Sequence, residues 1–330
     1  MADWQRKWLS MPDETEAKIL EWARRFPDLV RLDAEKQFCG RTAYAVTVTD
    51  PRLPDGPKKK HLFAVPHAHE PGATAGCMSF MNQVITGQHL DGQPTDLDRD
   101  RILRESLLTF IPDANPDGRS RSPERWWDGS KWPNEEFWCW MRGKDPHTGK
   151  MWKRLDLWST REEKDYPSPV GIVYEQVSEH EYVEPNRSPR SSLLKLIARL
   201  RQRHEYDQFL DLHQTEFEKS PHDTMVILPI MQLELSPEMQ SRNQRLAEAI
   251  VSAWKAIGAN PIPAIKPLGY GEPHRTYFIR CWGDMYHKVA IATSEVQNNN
   301  PRTPPPRQLL YTETAMRASV THLLAETKRP

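Results

Sequence analysis

Short apolar runs alternating with longer stretches of helical periodicity restrict this chain to few architectures. Residues 42–48, 62–65, 107–111, 208–212, 224–230 and 289–293 are each rich in apolar and β-branched side chains and read as strands. Between them, residues 14–26, 73–86, 191–204, 237–257 and 308–327 read as helices. The first of these places Ala17, Ile19, Leu20, Trp22 and Ala23 at helical spacing behind a Pro12-Asp13 start. Such alternation predicts an α/β fold with helices packed on both faces of a sheet.

Length and charge narrow the classes further. With 330 residues, 38% of them hydrophobic and 27% charged, the chain has ample material for a core and a solvated surface. A formal net charge of +0 gives no electrostatic reason to expect nucleic acid or an anionic membrane as partner. No stretch approaches the ~20 apolar residues of a membrane span, and Cys39, Cys77, Cys139 and Cys281 form no C-x-x-C pair. These features lead to the expectation of a cytoplasmic protein in a reducing compartment.

The segment from about 119 to 189 differs from the rest, being dense in charge, Pro and Gly and carrying seven tryptophans, from Trp126 to Trp158. So much tryptophan argues against disorder, so the segment reads as an ordered excursion from a single domain spanning 1–330, its rings forming either a satellite core or an aromatic wall beside a substrate.

Four strand candidates end in residues suited to catalysis, where ligands of open α/β sheets bind. The run 62–65 leads into Pro66-His67-Ala68-His69-Glu70, whose His67 and Glu70 are three apart and offer imidazole nitrogen and carboxylate oxygen to one metal. A catalytic zinc takes three protein ligands, so a third must come from elsewhere. The run 107–111 leads into the turn Asn115-Pro116-Asp117-Gly118, 208–212 into His213, and 289–293 into Ser294-Glu295.

Taken in order, H67-A-H-E70, N115-P-D-G118, D211-L-H213 and T293-S-E295 resemble the zinc carboxypeptidases of the carboxypeptidase A type. The resemblance extends to R25-F-P-D-L-V30 and C39-G-R-T-A-Y44 and covers most of the chain. It implies a three-layer α/β/α fold around a central mixed, mostly parallel sheet. It also implies one zinc ion on His67, Glu70 and His213, with Glu295 as the general base that handles the proton of the attacking water. Asp211 is a candidate to orient His213, against the reading of an ordinary strand-end carboxylate, and His69 has the wrong spacing to be a ligand. Arg125 is the candidate for oxyanion stabilisation, with Arg121 and Arg119 competing. Tyr277, ahead of Tyr270, is the candidate for the family's mobile tyrosine.

The family's Asn-Arg pair, which grips a substrate's terminal carboxylate, has no intact N-R-N copy here. Counting on from Arg125 puts Asn134 and Glu135 there, which together with Arg121 become the candidate substrate-binding residues; a second alignment puts Leu155-Asp156 there. A glutamate in place of a guanidinium repels a carboxylate, unless Arg187, Arg190, Arg275 or Arg280 substitutes. The expected function is therefore zinc-dependent hydrolysis of an amide bond in a small or peptide-like substrate. A true carboxypeptidase and a non-catalytic metal-binding module of the same fold are the alternatives.

Overall fold

The structure is a computed structural model that describes residues 3–151, 156–162, 170–216 and 218–326. The chain begins with α1 (Pro12–Arg25), β1 (Val30–Lys36), β2 (Thr42–Val48), β3 (Lys59–Ala64), α2 (Pro71–Thr86), α3 (Arg99–Glu105), β4 (Ser106–Ile111) and α4 (Pro116–Ser120). The excursion contributes α5 (Asn134–Arg142), β5 (Trp158–Ser159), β6 (Glu175–Gln176) and β7 (Glu181–Val183). There follow α6 (Ser192–Arg201), β8 (Gln208–Thr215), β9 (Thr224–Leu228), α7 (Pro237–Ala256), β10 (Lys266–Pro267), α8 (His274–Tyr286), β11 (Ala290–Gln297) and α9 (Pro305–Ala325).

Eight strands form one sheet in the order β1-β2-β4-β3-β8-β11-β9-β10. The pairings of β4 with β3, β3 with β8, β8 with β11 and β9 with β10 are parallel. Those of β1 with β2, β2 with β4 and β11 with β9 are antiparallel, so the sheet is mixed and mostly parallel, as expected. Strand side chains alternate between faces. Leu62, Phe209 and Ile291 therefore pack on one face with Leu196 of α6 and Trp282 of α8. Phe63, Leu210 and Ala292 pack on the other with Phe80, Leu246 and Met316 of α2, α7 and α9.

Local signals explain several boundaries. Ser191 and Ser236 cap α6 and α7 by accepting from the Leu194 and Met239 N–H groups. Pro229 follows β9, which stops at Leu228, short of the expected 230, because proline brings no N–H to a ladder. In contrast, β8 and β11 run on to Thr215 and Gln297, past the expected ends at 212 and 293. Helix α2 lies close against α9 because Gly76 is there: a Cβ at that position would stand 2.5 Å from the Thr312 Cβ.

Within the excursion, β5, β7 and β6 make a small antiparallel sheet. Trp127 packs with Phe137, Met141 and Ile172, Trp158 with Val173 and Tyr174, and Trp126 against Trp4 and Trp8. These rings are satellite cores. Residues 152–155 and 163–169, Trp152 among them, lie outside the described residues.

Candidate metal centre and active site

The loop after β3 is pinned to the sheet, since Val65 N–H donates to the Ile111 carbonyl (2.9 Å) and Ala114 N–H to the Val65 carbonyl (3.0 Å). Glu70 then sits at the start of α2, its carbonyl accepting from Ala73 N–H at 3.1 Å. The third donor arrives from within β8. One Nδ1 or oxygen atom each of His67, Glu70 and His213 converges, with His67 Nδ1 2.9 Å from Glu70 Oε1, His213 Nδ1 3.2 Å from that oxygen, and the two Nδ1 atoms 3.1 Å apart. All three residues are buried.

This donor set fits a zinc ion. His213 Nε2 lies 2.9 Å from Asp211 Oδ2 and His67 Nε2 lies 3.5 Å from Glu184 Oε1, so a carboxylate stands behind each ring. At His213 the close carboxylate favours a proton on Nε2 and leaves Nδ1 to face the cluster, as outer carboxylates do in histidine metal sites; at His67 the carboxylate stands beyond hydrogen-bond reach and acts through its charge. Glu70 Oε2 is buried with no hydrogen-bond partner among the described residues, leaving a second carboxylate oxygen for a cation. His69, stacked on His67 with ring centroids 5.2 Å apart, is not part of the converging trio.

The electrostatics agree. Burial alone would lower the His213 pKa, but Asp211 and Glu70 outweigh it and hold it well above the usual histidine value. His67 is raised in the same way against burial, by Glu70 and Glu184. Burial would raise Glu70, yet His213 and His67 hold its carboxyl below the usual range. The cluster as a whole therefore favours positive charge, which a bound cation or protons on the rings can supply. His69 has no such surplus, and burial drives its pKa well down.

Glu295 stands next to His213, its register partner on the adjacent parallel strand. Burial first, with Glu70 and Glu216 adding, pushes its carboxyl up to about 8, against the pull of His213 and His67. Its Oε2 is buried and has no hydrogen-bond partner among the described residues. Two residues back along each strand, Asp211 and Thr293 border a cavity otherwise walled by apolar and aromatic groups, among them Phe209, Phe278 and Trp282.

Two guanidiniums join this centre. Arg142, the last residue of α5, is held under the Trp138 ring at 5.2 Å. Burial lowers its pKa, but Glu184, Tyr174 and Glu216 outweigh that and raise it. Gly171 permits the placement: a Cβ there would lie 2.4 Å from the Arg142 carbonyl carbon and 2.4 Å from the Met141 carbonyl oxygen. Arg187 pairs with Glu184 Oε2 at 2.8 Å and lies 5.4 Å from the Tyr270 ring and 5.2 Å from the Phe278 ring. Arg142 Nε, Arg187 Nε and the neighbouring Asn186 Oδ1 are buried without a hydrogen-bond partner among the described residues. Glu184 links this group to His67; burial would raise its carboxyl, but Arg187, His67 and Arg142 hold it well below the usual range.

Five expected site residues are engaged elsewhere. Arg125 donates to the Trp8 carbonyl at 2.8 Å and pairs with Glu14 at 2.9 Å, so it fastens the N-terminal segment. Arg121 donates to the Val170 and Tyr174 carbonyls at 3.4 and 2.7 Å and closes the excursion. Asn134 accepts from Asn299 Nδ2 at 2.7 Å, and Glu135 points to solvent from the first turn of α5. Tyr277 lies under Arg280 at 4.7 Å, whereas Tyr270 faces Arg187. The turn at Asn115 also serves a different end: its Nδ2 donates to the Ile172 and Val173 carbonyls at 3.3 and 3.2 Å, tying down the excursion. Counting from Arg125 did not reach Asn186-Arg187 because the excursion is long, so Arg187 was expected only as one of four substitute cations; the Asn-Arg dipeptide itself was the signal that singles it out. For Arg142 that signal was its four-residue spacing from Trp138 on a helix behind Pro133.

Known proteins share this architecture. A metallo-carboxypeptidase from Burkholderia cenocepacia superposes with a TM-score of 0.58 at 14% identity, covering 93% of this chain and 68% of that one. Bovine thrombin-activatable fibrinolysis inhibitor, solved with tick carboxypeptidase inhibitor, gives 0.58 at 15% identity over 97% of this chain and 98% of that one. A metallo-carboxypeptidase from Pseudomonas aeruginosa, in complex with (2-guanidinoethylmercapto)succinic acid, gives 0.53 at 18% identity, covering 93% and 68%. At such identities the likeness speaks for the fold. Pairwise comparison with curated protein sequences returns no match. The sequence model of the family described as zinc carboxypeptidase matches residues 15–251, which include all three metal donors but not Glu295. The chain thus belongs to the zinc carboxypeptidase family of metallopeptidases.

Proposed function

We propose that the protein is a metallocarboxypeptidase that removes a C-terminal residue from peptide substrates, with residues 1–330 acting as one catalytic unit. The observation that carries this reading is the juxtaposition of Asn186 and Arg187 with Glu184 and His67. Absence of such a pair was what favoured an amidohydrolase from sequence. A guanidinium with a buried unpartnered Nε, beside an amide group with an unpartnered oxygen, suits a substrate carboxylate, the amide turning to donate. When bound, zinc supplies Lewis acidity and lowers the pKa of water at the site. With a cation bound beside it to draw its raised carboxyl back down, Glu295 accepts a proton from the attacking water and returns it to the leaving amine. Arg142 meets the negative charge that develops on the carbonyl oxygen.

The test compares a peptide with a free C-terminal carboxylate and its C-terminal amide, using zinc-loaded protein. A carboxypeptidase cleaves only the former at an appreciable rate; equal cleavage of both would return the reading to an amidohydrolase.

A further inference from the structure

The parallel strands that carry His213 and Glu295 have a second, opposite end. There the starts of β3, β8 and β11 border a cleft of about 990 Å³, contributed to by the ends of α6 and α9 and the first half of α7. That volume lies in the range of small-molecule sites. Its lining holds seven lysines and arginines against four acids. Several of these charges have internal work. Lys59 donates to the Leu323 and Leu324 carbonyls at 2.8 and 3.1 Å at the end of α9, and Arg245 pairs with Glu326 at 3.2 Å.

Arg242 is different. It is 6% exposed, and it donates to the Asp207 carbonyl at 2.8 Å and to the Met239 sulfur at 3.6 Å. No carboxylate among the described residues pairs with it, and burying a guanidinium without a counter-charge is costly. Lys60, at the start of β3, likewise has no carboxylate partner among the described residues, and Lys288 shares Asp284 with Arg201. The surplus is felt nearby: burial first, then Arg203 and Lys60, depress the His204 pKa.

We propose that this cleft binds a small molecule bearing a phosphate group, with the Arg242 guanidinium supplying its unmatched positive charge and remaining N–H groups at the wall and Lys60 and Lys288 as flanking point charges. A phosphate carries close to two negative charges and three acceptor oxygens, so it answers cations arriving from β3, α7 and the start of β11, where one carboxylate would not. Glu205 and Glu238 at the exposed part of the lining disfavour longer polyanions. The site lies away from the carboxyl strand ends where catalysis is placed.

Titration calorimetry of zinc-loaded protein with inorganic phosphate tests this without reference to turnover, so it stands or falls apart from the carboxypeptidase reading. Wild type is expected to bind, and Arg242→Gln to weaken binding at least about tenfold. Lys60→Ala combined with Lys288→Ala, which removes two side chains without touching the core, is expected to do the same while keeping the wild-type melting temperature. Failure of wild type to bind millimolar phosphate, or phosphate binding unchanged in the double variant, overturns the proposal; the latter would put the anion elsewhere, at the metal for instance.

Discussion

Glu295 and His213 are register partners on adjacent parallel strands, so the carboxylate proposed to handle the proton and a candidate metal donor share one face of the sheet one strand spacing apart. Neither relies on a loop for its position. Glu295→Gln keeps the shape and removes the base, and kcat should fall about 10²–10⁴-fold with bound zinc unchanged. Steady-state kinetics beside metal analysis check this, and full turnover in the variant would refute the role.

Protons and metal compete for the same cluster. Because the folded pKa values of His67 and His213 lie above 6.5, their contribution to the stability of metal-free protein is complete below about pH 6.5 and is lost as pH rises through the folded values. Zinc affinity should run the other way, rising with pH as those protons leave. The melting-temperature gain on adding zinc should therefore be larger at pH 8 than at pH 6, and His213→Ala should abolish it.

Arg142 and Arg187 should fail differently. Arg142→Ala is expected to lower kcat by about 10²–10³-fold with little change in KM, as loss of an oxyanion donor does. Arg187→Ala should act chiefly on KM for substrates with a free carboxylate, and Arg187→Lys should not rescue it, since an ammonium lacks the planar fork. The same split in both variants would undo the assignment.

Glu175 provides a pH effect outside the centre. It is buried, accepts from Ser192 N–H and Oγ at 2.9 and 2.6 Å, and burial pushes its carboxyl to about 7 from 4.5. The folded state therefore keeps the proton longer than the unfolded chain, and stability falls as pH rises from about 4.5 to about 7. The loss is at most about 3 kcal/mol at 1.36 kcal/mol per unit. Urea denaturation at pH 5 and 7.5 should show this slope reduced in Glu175→Gln.

Gly171→Ala forces backbone against backbone at Met141 and Arg142. A cost of about 1–3 kcal/mol is expected from overpacking. Activity should fall further than stability alone accounts for, because Arg142 is displaced. Thermal melts and kcat measured on the same preparation separate the two effects.

Much of this was legible in the chain because the informative residues fall where local pattern and position coincide. The β2 strand matches its expected bounds, since TAYAVTV is β-rich throughout. His67, Glu70, His213 and Glu295 stood out by following apolar runs in a fixed order. Strand β1, VRLDAEK, was missed because charge covers it as an edge strand, and α8 because its apolar residues are interrupted by Arg275, Arg280 and Asp284. Arg142 and Asn186 escaped for another reason, and Arg187 stood out only as one of four arginines that could substitute for the clamp. Their approach to the metal donors depends on how the excursion folds back, through carbonyls held by Asn115 and Arg121, and no local periodicity records that path.

The anchoring of the excursion has a bearing on what can be rebuilt. Asn115, Arg121 and Gly171 hold its return through main-chain groups, in addition to the packing of its aromatic rings. A graft that preserved the return of residues 170–174 and the packing of the rings could exchange Arg142 for another residue while β3, β8 and β11 stayed as they are. The candidate metal donors and Arg142 thus come from different parts of the chain, the sheet with its β3–α2 loop and the excursion.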